Sequence, residues 1–313
     1  MAGTRSDTRN YRGRFAPSPT GALHFGSLLA ALASFLDARA HRGHWLLRME
    51  DLDPPREIKG AADQILRTLE RFGFYWDGPV RYQSQRLEHY AQAAERLLEQ
   101  DQAYPCLCSR QQIAKQLLEQ QACSCSHPQN ARHTLSSAAA CGDRPAAIRV
   151  RTHDARIGFT DAIQGNYPQQ SRQQLRDFVI RRKDRLYAYQ LAVVIDDADQ
   201  QISHIVRGYD LIDSTPRQIH LQQLLRLATP EYAHIPILVN HLGQKLSKQT
   251  FASALDLRHP EPSLFQALTL LGHRPPEDLR AASTHEMLDW GINHWRRSRV
   301  PQQPHLAESL LES

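Results

Sequence analysis

Lysine is scarce in this chain. Of its 38 basic residues only Lys59, Lys115, Lys183, Lys245 and Lys248 are lysines, and the others are arginines. Where arginine serves as the generic cation, each surviving lysine calls for a reason. Long apolar runs are missing too. No stretch of about eighteen apolar residues occurs, so no segment reads as a membrane-spanning helix. The opening MAGTRSDTRN is polar and carries no apolar h-region of a secretory signal. The cysteines are few and odd in number: Cys106, Cys108, Cys123, Cys125 and Cys141. With no export signal, that count argues against a disulfide framework and for a reducing cytoplasm. No internal repeat or long low-complexity segment is visible. What is present is 313 residues, 41% of them hydrophobic, which is enough for one large or two small domains with a real core. The 38 basic residues against 33 acidic ones fit an RNA partner without demonstrating one.

The order of patterns suggests a parallel sheet. Residues 1–10 read as a flexible leader. Tyr11 to Ala16 is a short strand, ended by Pro17 and Pro19. Leu28, Leu29, Leu32, Phe35 and Leu36 then share one helix face, and Gly43 ends that helix. Trp45 to Met49 is a second strand, which completes a βαβ opening. Helical spacing returns over 57–73 and 85–101. The cysteine-rich stretch 106–145 has a different texture and reads as the start of an insertion. Strands resume near Ile148 to Val150 and Phe178 to Arg181, and again at Ile202 to Arg207. Ser214, Thr215 and Pro216 form a helix start, a hydroxyl cap followed by proline in the first turn. Ile235 to Val239 reads as a last strand, with helices thereafter.

Four constellations carry chemistry. RFAPSPTGALHFG, residues 14–26, is a strand, a loop and a helix start. Free amides at a helix N-terminus, with His24 beside them and Gly26 allowing close approach, suit phosphate; an ordinary turn is the competing reading. KLSKQ, residues 245–249, places two of the five lysines on one loop. Flexible cations there suit a triphosphate and its departing pyrophosphate, against the alternative of a solvated loop. RMEDLD, residues 48–53, leaves a strand at the sheet edge where ligands bind. Glu50 suits an ammonium group, while Asp51 and Asp53 fit structural capping better. Cys106-x-Cys108 and Cys123-x-Cys125 supply four thiolates for a tetrahedral metal, against the reading as reduced, unliganded cysteines.

Taken together, these blocks resemble the catalytic core of class I glutamyl-tRNA synthetases. RFAPSPTGALHFG is similar to that family's first signature, with His24 and Gly26 at matching positions of its "HIGH" element, and KLSKQ resembles its "KMSKS" element. RRKDRLYAYQLAVVIDDADQQISHIVRGYDLIDSTPRQIHL, residues 181–221, is similar to the middle of the catalytic domain. The likeness spans about residues 11–250. It is strongest to the family's short members, which lack the large helical anticodon-binding region and glutamylate queuosine in tRNA(Asp). Residues 250–313 are too few for two further domains.

The resemblance implies an α/β fold: a Rossmann-like parallel-sheet catalytic domain in two halves, 11–105 and 178–250. A small zinc-binding insertion, 106–177, would lie between them, and a short helical region, 251–313, would follow with no anticodon-binding domain. It implies a glutamate site lined by Arg14, Phe15, Ala16, Pro17, Ser18, Glu50, Tyr189 and Arg207. It implies ATP contacts from His24, Gly26, Lys245 and Lys248, with His24 and Lys248 stabilising the transition state at phosphorus. A structural zinc, one per chain, is expected on Cys106, Cys108, Cys123 and Cys125, with His127 and Cys141 as alternative ligands because no tyrosine lies between Cys108 and Cys125. Magnesium is expected with ATP. The expected partners are ATP, L-glutamate and queuosine-containing tRNA(Asp), with no membrane, in a cytoplasmic monomer. A truncated glutamyl-tRNA synthetase charging tRNA(Glu) is the alternative enzyme, and a catalytically silent RNA-binding relative the alternative of another class. Three departures stand out: Ser27 and Gln249 end the two signatures, and Arg185 occupies a turn position where the family often has glycine. Lys248→Ala is expected to cost about 3 kcal/mol of transition-state stabilisation in glutamate-dependent pyrophosphate exchange. Unchanged exchange would remove the loop from the mechanism.

Overall fold

The computed structural model describes residues 11–119, 123, 125, 146–153, 155–170, 172–246 and 255–311. The opening βαβ unit forms where the periodicity predicts it. Strand β1 (Arg12–Phe15) leads through the PSPTG loop to helix α1 (Phe25–Ala40) and back to β2 (His44–Met49), parallel to β1. Gly43 makes that return possible, because a Cβ there would lie 2.4 Å from the Tyr11 carbonyl oxygen. Helix α2 (Ala61–Arg71) then leads to β3 (Arg81–Tyr82), parallel to the end of β2. Helix α3 (Leu87–Glu99) closes this half.

Strand β4 (Ala103–Cys106) and helix α4 (Arg110–Leu118) begin the intervening region. There β4, β5 (Ala147–Val150) and β8 (Phe178–Arg181) form an antiparallel sheet. Between the last two strands lies a hairpin of β6 (Ile157–Asp161) and β7 (Gly165–Gln170), which the sequence pattern did not announce. Helix α5 (Tyr189–Asp199) follows, and then β9 (His204–Gly208), helix α6 (Thr215–Leu225) and β10 (Glu231–Ile235), with β9 and β10 parallel. Ser203 N donates to the Arg12 carbonyl and Arg12 N to Ser203 Oγ, which sets β9 beside β1. Strands β3, β2 and β1 are thus parallel to one another, as are β9 and β10, and β9 lies beside β1, in keeping with the α/β class expected from the sequence.

Several local expectations change. Proline cannot donate to a strand ladder, and Pro236 divides the supposed last strand into β10 and β11 (Ile237–Val239). Ser214 does not cap α6 with its side chain. It sits in helical conformation at the end of a 3₁₀ turn, and its Oγ accepts from Gln190 Nε2 at 3.0 Å. The C-terminal region is not purely helical. After α7 (Glu261–Leu270) and α8 (Thr284–His294), strand β12 (His305–Ala307) pairs in parallel with β11. Three residues are too short a run to signal a strand. Helix α1 is buried almost all round, because the sheet covers one side and α7 and α8 cover the other. Asp37 of α1 locks this region down by accepting from Trp295 Nε1 at 2.8 Å and Arg297 Nε at 2.7 Å. Among the described residues no helix is long and apolar enough to cross a membrane.

The turn at Arg185 is formed without glycine. Arg185 takes a φ of 68°, and its N–H donates to the Arg182 carbonyl. Left-handed backbone is costly for a residue with a Cβ, and Arg185 is exposed. Arg185→Gly is therefore expected to stabilise the fold by about 0.5–1 kcal/mol, read as a higher urea midpoint. A lowered midpoint would contradict this.

Candidate active site and cysteine cluster

Parallel sheets bind ligands at the carboxyl ends of their strands, and charged side chains gather at those ends here. Arg14, next to last in β1, is buried, and its Nε donates to Asp197 Oδ1 of α5 at 3.3 Å. The same oxygen accepts from Arg48 Nη1 at 2.8 Å, and that nitrogen also meets Gln200 Oε1 at 2.8 Å. Arg48 is fully buried in β2. Burial alone would lower its pKa, but the carboxylates of Asp197, Glu50 and Asp196 more than reverse that. Glu50 lies just past β2, with Oε1 3.5 Å from Arg48 Nη2, and its N–H donates to the Pro17 carbonyl at 2.9 Å. Burial raises the Glu50 carboxyl above its ordinary value, and Arg48 and Arg14 offset this only in part. A ligand ammonium would supply the missing positive charge.

A third arginine stands on β9. Arg207 Nη1 donates to Tyr189 Oη at 3.3 Å, Nη2 to Thr215 Oγ1 at 2.7 Å, and Nε to His234 Nε2 at 3.0 Å. Behind it, His234 Nδ1 and Asp161 Oδ2 lie 2.5 Å apart. Burial, with the Arg207 charge alongside, draws His234 down to about 4 despite its bond to Asp161. Tyr189 joins the two groups, since burial raises its phenol and the charges of Arg207, Glu50 and Arg14 all act on it. Arg14, Glu50, Tyr189 and Arg207 thus converge. Phe15 turns its ring into the core against Trp45, leaving its backbone for the loop. Ala16 and Pro17 are half-buried and Ser18 is exposed on that loop.

Sequence reasoning missed Arg48, Asp161, Asp197 and His234 as parts of this site. Arg48 had a signal, a charge inside the apolar strand WLLRM. Asp196 and Asp197 directly follow an apolar run. Asp161 and His234 had none. Asp51 is structural, accepting from Ser84 N and Ser84 Oγ at 2.9 and 2.6 Å, and Asp53 pairs with Arg56 at 2.6 Å.

His24 stands at the N-cap of α1, and its carbonyl accepts from the N–H groups of Ser27 and Leu28. A Cβ on Gly26 would lie 3.1 Å from the His24 ring and 3.9 Å from the Leu246 carbonyl. The two signature loops therefore meet at this helix end. Lys245 Nζ pairs with Asp210 Oδ2 at 2.6 Å. Lys248 lies outside the described residues.

Cys106, Cys108, Cys123 and Cys125 bring their Sγ atoms within 4.8 Å of one another, with three of the pairs at 3.6 Å. A tetrahedral zinc with Zn–S bonds of about 2.3 Å sets its sulfurs roughly 3.8 Å apart, so the cluster has the spacing and donor chemistry for such an ion. Hydrogen bonding from Cys106 lowers the Cys123 thiol against its burial, which favours a thiolate within the group. Lys183 Nζ donates to the Leu107 carbonyl at 2.7 Å and ties the cluster to the Arg185 turn. His127 and Cys141 lie outside the described residues.

Residues 10–295 match the family model of the catalytic domain of class I tRNA synthetases (E and Q). A glutamyl-Q tRNA(Asp) synthetase of Ectopseudomonas mendocina is 49% identical over 301 residues, covering 96% of this chain and 98% of the relative. One of Neisseria meningitidis serogroup B is 51% identical, covering 93% and 98%. The chain belongs to the class I tRNA synthetases of the E and Q type, and within them to the glutamyl-Q tRNA(Asp) synthetase family. The crystal structure of a glutamate-tRNA synthetase from Elizabethkingia anophelis shares the fold, with a TM-score of 0.79 at 24% identity over 97% of this chain and 69% of that one. A glutamate tRNA ligase from Elizabethkingia meningosepticum, solved with its amino acid, gives 0.78 at 25%, over 95% and 67%.

Elemental analysis of the purified chain is expected to find about one zinc per chain, and little in Cys106→Ser. A wild-type chain without metal would leave the four residues as reduced thiols.

Proposed function

We propose that the protein activates L-glutamate with ATP to glutamyl-adenylate, without tRNA, and transfers the glutamyl group to queuosine at the first anticodon position of tRNA(Asp). The observation that carries this reading is the convergence of Arg14, Glu50, Tyr189 and Arg207 at the strand ends, beside the helix end where the two signature loops meet. Glutamate carries two carboxylates and one ammonium. Two arginines and a glutamate answer those charges, with Tyr189 adding a hydroxyl.

In the first step a carboxylate oxygen attacks the α-phosphorus and pyrophosphate leaves. The protein's share is positioning and charge stabilisation. The α1 N-terminus, His24 and Gly26 would cradle phosphates, and Lys245 and Lys248 would neutralise the departing pyrophosphate. Magnesium enters with ATP as part of that substrate. In the second step a queuosine hydroxyl attacks the activated carbonyl, AMP departs, and an ester forms on the base. The catalytic core would comprise residues 11–105 and 178–250, with the insertion 106–177 held by zinc on the four cysteines and residues 251–313 as a short C-terminal region. Zinc there would cross-link the loop and take no part in the reaction. The substrates belong to the cytoplasm, and the protein would act as a monomer.

The deciding measurement is transfer of labelled glutamate to tRNA(Asp) with and without queuosine, beside tRNA(Glu). Glutamylation is expected only for the modified tRNA(Asp), with pyrophosphate exchange proceeding in its absence. Equal labelling of unmodified tRNA(Asp), or charging of tRNA(Glu), would overturn the reading.

A further inference from the structure

Arg207 differs from Arg14 in the company it keeps. Arg14 shares the carboxylate of Asp197 with Arg48. The groups bonded to Arg207 are the Tyr189 and Thr215 hydroxyls, the Leu211 carbonyl and the His234 ring, none of which bears a negative charge. A guanidinium always donates, so His234 Nε2 must accept from Arg207 Nε. Its proton then sits on Nδ1 and is donated to Asp161 Oδ2. Asp161 and His234 are both essentially inaccessible to solvent. Being drawn down to about 4, the ring stays neutral at physiological pH and the acceptor on Nε2 persists.

We propose that Asp161 and His234 are positioning residues that hold Arg207 in its glutamate-binding orientation by locking the imidazole in the Nδ1–H tautomer. This rests on the reading of Arg207 as a glutamate contact. The lock is tightly built. Asp161 Oδ1 accepts three backbone N–H groups, from Ile163 at 3.0 Å, Gln164 at 2.9 Å and His234 at 3.0 Å. That leaves Oδ2 alone to face the ring. The hairpin carrying Asp161 is fastened to β10 by Ala162 N donating to the Tyr232 carbonyl at 2.8 Å and Gln164 Nε2 to the His234 carbonyl at 2.7 Å. A segment that the sequence assigns to the insertion thus fastens to β10 of the catalytic region and sets the Asp161 carboxylate against the His234 ring. The arrangement follows the general logic by which an outer group fixes the tautomer and orientation of a histidine.

Asp161→Asn tests this sharply. The three backbone donors require the amide oxygen in the Oδ1 place, so the amide NH₂ must face His234 Nδ1. The ring proton moves to Nε2 and confronts the Arg207 Nε–H, donor against donor. We expect the KM for glutamate in pyrophosphate exchange to rise roughly ten- to a hundredfold, the scale of one hydrogen bond to a charged group, with kcat and the KM for ATP little changed. A residue needed only for the turn would lower thermal stability and leave this split absent. An unchanged glutamate KM in the folded variant overturns the proposal. A second measurement does not depend on that variant folding: ¹⁵N spectra of histidine-labelled wild-type protein, with the His234 signals assigned by difference from His234→Gln. A protonated Nδ1 supports the lock, and a protonated Nε2 overturns it. A wild-type protein without glutamate-dependent exchange would defeat the proposed function instead, and the ¹⁵N spectra would still decide the tautomer.

Discussion

The buried pairing of Arg48 with Asp197 is the contact on which the site depends. It joins β2 to α5 across 149 positions of sequence, and so joins the two halves of the catalytic sheet around the intervening region. Burying a guanidinium is costly, and losing one partner of such a pair typically costs about 3–5 kcal/mol. Here the cost is met by Asp197, Gln200 and the nearby carboxylates of Glu50 and Asp196. The arrangement also orients the site. Asp197 Oδ1 holds Arg14, and Arg48 faces Glu50 across 3.5 Å.

Arg14 and Arg207 therefore reach the same strand ends with different electrostatic surroundings. Arg14 is compensated by a carboxylate, and Arg207 is held by neutral acceptors with the charge of Asp161 one imidazole away. A zwitterionic ligand with one extra negative charge fits such an asymmetry, because one arginine retains charge that no contacting protein carboxylate has cancelled. Glu50 completes the complement, since its raised pKa relaxes when a cation arrives beside it. The reading of the site thus rests on charge balance as well as on position along the strands.

The C-terminal region is part of the same construction. Asp37, fully buried in α1, gathers the Tyr11 hydroxyl, the Trp295 indole and the Arg297 guanidinium. With β12 added beside β11 and with α7 and α8 covering α1, the helix whose N-terminus faces the signature loops is clamped from both sides. A rigid helix gives its free amides a fixed direction, which anion binding needs.

The elements with local signatures were legible in the chain. The βαβ opening followed from the apolar spacing of Leu28 to Leu36 and the apolar run before Glu50. The helix end at His24 and Gly26 and the grouping of the paired cysteines followed from their residue types and spacing. Those features depend on neighbours in the chain, so periodicity and turn chemistry reveal them. What depends on distant partners came from tertiary packing. It placed Asp161 against His234 across 73 positions and His234 against Arg207 across 27. It paired three residues, His305–Ala307, with β11, and packed the Phe15 ring at the end of β1 against Trp45 in the core. A buried hydrogen bond between remote residues leaves no period in the sequence, because either partner alone looks like an ordinary polar residue. The charge state of His234 and the orientation of Arg207 exist only once burial has removed water and left these groups to bond to one another and to Asp161, Tyr189, Thr215 and Leu211.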